Sequence, residues 1–205
     1  MNAEEIRQNL DSAIRRINGL QNPSARAKQT MIARAYLEAR GALDQLREQE
    51  EQQIGRERTK LDRKLFGTNG FSPDPNAVIA RRDANDRAAR YSSPAEAIEG
   101  MRRAERDGDR FMTKAIAAHA AEMATRGADW PGSTAPEWSQ LVRAYVADKP
   151  DDAATLQAIQ DLPDTSDAVW KISKAIEYSV PAPSELGGQL PEGLAALPLD
   201  GDVAA

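Results

Sequence analysis

An all-α fold is what this sequence predicts, and three features predict it. Apolar residues recur at helical intervals, as in Ile6, Leu10, Ile14, Ile17 and Leu20, a spacing of threes and fours that gathers them on one helix face. Helix-start signals precede such runs at Asn22-Pro23, Ser93-Pro94-Ala95-Glu96 and Thr134-Ala135-Pro136-Glu137, where a polar cap is followed by proline at the first or second helical position. No alternating β-branched run bounded by turns occurs, so no strand is predicted. The expected architecture is a long N-terminal helical hairpin or coiled-coil-like arm, then a small multi-helix domain, then a flexible C-terminal tail.

The first helix is expected over residues 3–20, with Glu4 and Glu5 complementing the positive end of its dipole. Asn22 as N-cap starts a second helix that meets no proline until Pro73 and keeps a helical pattern to about Phe66. That is ~44 residues, or roughly 66 Å. Its first half carries a heptad-like seam of Ile32, Tyr36, Ala39, Leu43 and Leu46. The seam then lapses, because its next positions are Glu50 and Gln53, and within residues 47–60 only Ile54 is apolar. A helix polar on all sides bridges solvent or lives on charge pairs between turns, and Gly55 marks a point for a kink. The stripe resumes with Leu61, Leu65 and Phe66. The first helix is expected to fold back on the front half of the second, whose far half projects or pairs with another copy.

Residues 67–76, GTNGFSPDPN, read as a loop. A surface helix over about 75–90 follows, laced by Arg82, Asp86 and Arg90 at intervals of four. Ser93 and Glu96 form a capping box for the next helix, which Asp107-Gly108-Asp109 ends. A helix over about 109–126 presents Phe111, Met112, Ala115, Ile116, His119 and Met123. Three shorter helices are expected near 135–147, 151–161 and 166–178. All three tryptophans, Trp130, Trp138 and Trp170, fall in this part, and aromatic area dominates core energetics. The expected division is therefore a hairpin arm over 1–67, a linker with a short helix over 68–93, a compact helical domain over 94–179 and a Pro/Gly/Leu tail over 180–205. Leu190, Leu194 and Leu197 in that tail are a candidate docking motif.

Charge and composition exclude several functions. The net charge is -5, so bulk attraction to nucleic acid or an anionic membrane is not expected. Arg/Lys clusters at Arg56–Lys64, Arg81/Arg82 and Arg102–Arg110 are matched by acids at near-equal density and read as solvated faces. Residues 1–127 are net +4 and residues 128–205 net -9, which reads as weakly patterned solvated surface, with head-to-tail or intramolecular contact as the alternative. Cysteine is absent, which removes disulfides, thiolate metal sites and cysteine nucleophiles. The N-terminus lacks the apolar stretch of a secretion signal, and the run Ala115–Ala121 is too short to span a bilayer.

Chemistry finds no foothold. His119 is the sole histidine, and a metal site wants three or four ligands. It reads as a core or boundary residue. No G-x-S-x-G elbow is present. Gly67 and Gly70 lack the Lys-Ser/Thr of a phosphate loop, and residues 105–110 do not follow an EF-hand pattern. No catalytic, metal or cofactor-binding residue is nominated, and no cofactor is expected.

Arginine outnumbers lysine 20 to 7. The runs RKLFG (63–67) and RRDANDRAARYSSPAEA (81–97), with the long helices before them, resemble uncharacterised helical proteins from the structural gene clusters of actinobacterial tailed phages and prophages. The likeness covers about the first 125 residues, through capping and helix-forming residues, and transfers no functional residue. It implies a virion component or assembly factor without enzymatic activity, in the virion or the host bacterial cytoplasm. The expected mechanism is association with protein partners, by self-association and with another virion or assembly protein. The contact residues nominated are Ile32, Tyr36, Leu43, Leu46, Leu61, Leu65 and Phe66 on the arm, for which intramolecular packing in the hairpin is the equal alternative, with Leu190, Leu194 and Leu197 on the tail. The alternatives are a cytoplasmic adaptor or chaperone that binds a client through the tail leucines, and a nucleic-acid-binding regulator.

Overall fold

A computed structural model describes residues 2–67, 75–126 and 133–199. Among them every regular element is helical: α1 (Ala3–Asn18), α2 (Ala25–Phe66), α3 (Pro75–Ala88), α4 (Pro94–Arg106), α5 (Arg110–Thr125), α6 (Ala135–Val146), α7 (Pro150–Gln160), α8 (Ala168–Glu177) and α9 (Pro191–Ala195), with a 3-10 turn over Ser184–Leu186. Two compact units form. One comprises Met1–Gly55 with Pro163–Ala205, and the other comprises Arg56–Leu162. The division differs from the expected one on both sides. The first unit recruits α8 and the C-terminal segment, and the second takes the end of α2 and α3, which had been read as arm and linker.

The helix starts follow local capping. The Asn2 side-chain oxygen accepts from the Glu5 N–H and the Glu5 carboxylate accepts from the Asn2 N–H, closing a capping box on α1. α2 begins later than Pro23, because Ser24 provides its cap by accepting from the Ala27 N–H at 3.1 Å. It then runs without a break in its helical assignment through Gly55. Ser93 caps α4 through the Glu96 N–H, while the Glu96 carboxylate reaches one residue further back, to Ser92. Asp109 and Asp167 cap α5 and α8.

In the first unit α1 lies on the front half of α2, as their seams predict. Ile6, Leu10 and Ile17 meet Ile32, Ala33, Tyr36, Ala39 and Leu43 in one buried cluster. Each large aliphatic side chain so buried contributes about 1.5–3 kcal/mol. The cluster is completed from the far end of the sequence. Beyond Tyr178 the chain carries little regular structure, yet Leu186 and Leu194 are fully buried among the hairpin residues. Gly187 and Gly188 take φ of 59° and 74° to turn the chain between those two anchors.

Arginines and amides of the hairpin hold this segment by its backbone. Arg34 donates to the Ala195 and Leu197 carbonyls at 3.0 and 2.8 Å, and Gln29 to the Glu185 carbonyl at 3.0 Å. Arg7 donates to the Ser179 and Glu177 carbonyls. Arg26 reaches Gln189, and Arg40 pairs with Glu192 at 3.0 Å. Of these contacts only Arg40–Glu192 joins opposite charges; the others end on backbone carbonyls or a neutral amide. Irregular backbone is satisfied here by side chains instead of a ladder.

The second unit has its own core. Leu65 from the end of α2 joins Ala84 and Ala88 of α3, Met101 of α4, Met112 and Ile116 of α5, and Trp138, Leu141, Val142 and Tyr145 of α6. Much of this core is alanine, and small side chains let α3, α4 and α6 approach α5 closely.

Candidate functional site

Most of the residues nominated for partner contact are already in use. Ile32, Tyr36 and Leu43 are buried against α1, and Leu46 packs on the same cluster. Leu65 is buried and Phe66 half-buried in the second unit's core, and Leu61 is half-buried. Leu194 is buried and Leu197 packs beside it. Apart from Leu61, these side chains pack within the chain's own two cores. The physical reason is that the hairpin seam is wider than α1 can cover, and the chain's own C-terminal segment fills the remainder. Of the ten, Leu190 alone stands well exposed, at 78%.

The surface that is left open lies on α8. Val169, Ile172 and Ile176 are 74%, 61% and 69% exposed, and no residue of α8 is buried. Their spacing of three and four puts them on one face. The opposite face carries Trp170, Lys174 and Tyr178, again four apart, and this is the face that docks. The Lys174 ammonium bonds Glu50 of α2 at 2.7 Å and Glu177 at 2.8 Å, and the Tyr178 hydroxyl donates to Glu50 at 3.0 Å. Lys174 also sits 6.0 and 5.7 Å from the ring centres of Trp170 and Tyr178, within reach of cation–π attraction. Its hydrogen bonds to Glu177 and Glu50 hold the ammonium well above its ordinary pKa. Burial, then the bond to Glu50, raises the Tyr178 phenol.

The amphipathic order of α8 is therefore inverted: its polar and aromatic side faces the protein and its branched aliphatic side faces out. Scattered exposed aliphatics need no explanation, whereas a contiguous stripe marks a contact surface. The stripe was legible in the spacing of Val169, Ile172 and Ile176. Trp170, taken as a core aromatic, assigned the helix to the compact domain and hid the stripe.

The second unit holds a cleft of about 660 Å³ lined by Asp62, Arg63, Arg81, Asp86, His119 and Glu122 among others. Burial raises the Asp62 carboxyl against the pull of Arg58. His119 Nε2 donates to the Tyr91 carbonyl at 2.9 Å, and its ring stands edge-on to Trp138 with centres 5.5 Å apart. One ring nitrogen is thus spent on positioning the turn after α3. The charges in the cleft are of mixed sign. Among the described residues no group of three or more His, Asp or Glu could hold a metal ion. No helix among them is long and apolar enough to cross a membrane.

No protein-family model, no curated protein and no solved structure matches this chain.

Proposed function

We propose that this chain is a non-enzymatic structural or assembly protein of a tailed phage, a head, neck, tail or scaffold component, that acts by helix-mediated association with other proteins. The observation that carries the association is the outward stripe of Val169, Ile172 and Ile176 on a helix otherwise anchored by its polar side. Covering such a stripe recovers hydrophobic free energy that the isolated chain forgoes, and the anchored opposite face means no large rearrangement precedes binding. The assignment to a phage particle is supported by the resemblance carried on residues 63–67 and 81–97. Virion or host cytoplasm is where such a protein would act.

The adaptor reading through the tail leucines has less support, since only Leu190 of its three residues is exposed. The nucleic-acid reading has less support, since the net charge is -5 and the Arg/Lys clusters are matched by acids in the sequence. Mass spectrometry of purified particles and of assembly intermediates from an induced lysogen tests the proposal. The expected result is the chain at several copies in one or the other. Its absence from both, with normal expression, overturns the reading.

A further inference from the structure

We infer that the C-terminal segment over 178–199 passes between copies of this chain, the hairpin of one copy taking the segment of a second in the seat its own segment fills. This rests on the association reading and names the piece exchanged. The occupant of the seat is visible. The seam between α1 and α2 is covered by this segment, with Leu186 and Leu194 fully buried in it and Val180, Ala195 and Leu197 packed beside them. A second copy carries the identical segment, so every contact made within one chain is available between two.

Three features make the segment separable from its seat. The first is how it is held. Among the described residues no backbone–backbone hydrogen bond joins it to the hairpin, so no ladder is broken when it leaves. Hairpin side chains hold it instead. Asn18 donates to the Glu185 carboxylate at 3.1 Å, and Arg7, Gln29 and Arg34 donate to carbonyls of the segment. All of these but the Gln29 bond are exposed, where water replaces them at small net cost.

The second is its place in the chain. The segment follows α8, none of whose residues is buried. The link over 161–167 before α8 has no buried residue either. A terminal stretch on a solvated link leaves and returns without threading through the fold, and such exchange is a low-cost route to association.

The third is what release uncovers. The seam of Ile32, Tyr36 and Leu43 is wider than α1 covers, so an opened chain recovers hydrophobic free energy only by recapturing a segment. Its own segment has the advantage of the tether, equivalent to about a millimolar concentration for a short flexible link. The segment of a second copy competes where chains are held at comparable density, as in an assembly.

The sequence has no cysteine, so introduced thiols report the exchange. Arg40 and Glu192 pair at 3.0 Å across the seat and are 49% and 55% exposed, and an open pair of this kind is replaced at little cost. An isotopically labelled chain with Arg40→Cys and an unlabelled chain with Glu192→Cys are opened together in urea, refolded, checked for helicity by circular dichroism and treated with a short bismaleimide. Neither chain holds both thiols, so a mixed covalent dimer records position 192 of one copy beside position 40 of another. In the control, Glu51→Cys replaces Arg40→Cys, an exposed site on the same helix roughly 16 Å further along. Mixed dimer is expected at least about tenfold above the control after refolding near millimolar, and to fall away at low micromolar, where the tether wins. An excess of synthetic peptide of residues 178–199 is expected to suppress it, as is Leu194→Asp in the chain carrying Glu192→Cys. A yield equal to the control at every concentration, or one that neither the peptide nor Leu194→Asp lowers, overturns the inference. A chain that enters particles without exchanging sinks the exchange and leaves the association reading standing. A chain that exchanges but is missing from particles and intermediates does the reverse.

Discussion

Two glycines in the middle of helices face opposite environments, and the difference sets the sign of the same mutation. Around Gly55 of α2 an added Cβ meets nothing within 4 Å. There glycine only lowers helix propensity, so Gly55→Ala is expected to stabilise by about 0.5–1 kcal/mol. At Gly100 of α4 a Cβ would overlap the hydroxyl end of the Tyr91 ring. That ring packs on the second unit's core, and its backbone carbonyl accepts from His119. Gly100→Ala forces the ring off its seat, and the overpacking outweighs the propensity gain for a net loss of about 1 kcal/mol. Urea denaturation of the two variants is the measurement, and two shifts of the same sign would contradict this account. A sequence window treats both positions alike, since each is a lone glycine between helix formers. Only the neighbour that arrives from another element tells them apart.

At the scale of the element, α8 is held by one anchored lysine. Lys174 side-chain exposure is 16% and that of Glu50 is 32%, so their bond is partly shielded from solvent and stronger than an open surface pair. Lys174→Met keeps the stem and deletes the charge, and is expected to cost about 1–3 kcal/mol, the worth of a charge-assisted hydrogen bond. The pH dependence follows from the raised pKa of Lys174. The folded state binds this proton more tightly than the unfolded chain. The stabilisation is therefore complete below the unfolded pKa, near pH 10, and drains away as pH rises through the folded value. The Tyr178 phenol, also raised, adds a loss of the same sign. The stability gap between parent and Lys174→Met should stay constant from pH 7 to about 9.5 and narrow above pH 10. Thermal melts followed by tryptophan fluorescence read it, and a gap already closing at pH 8 would count against the anchor.

For the whole chain, the notable fact is that each unit buries its own core and that the first is assembled from both ends of the sequence. Leu194 is fully buried there, and Leu194→Ala should cost about 2–4 kcal/mol through lost burial and the cavity left behind. The loss is expected to be local. Amide exchange should accelerate in residues 2–55 and 163–199, and the α5 and α6 amides of the second unit should keep their protection. Uniform acceleration across both units would show a single cooperative block instead.

Local periodicity and capping were enough to establish the helices, because the signals that start and stop a helix lie within a few residues of its ends. The all-α class, the α1–α2 pairing through Ile6, Leu10, Ile32 and Leu43, and the cap at Ser93 were all legible that way. What covers each face was not. An apolar stripe says only that something must bury it, and the identity of that something is a matter of long-range packing. Leu194 and Ile172 look alike as sequence, each an aliphatic residue in the C-terminal third. Tertiary structure set one into the hairpin seam and left the other in solvent. It decided so because Lys174 and Tyr178 found Glu50, and that contact turned the aliphatic side of α8 outward.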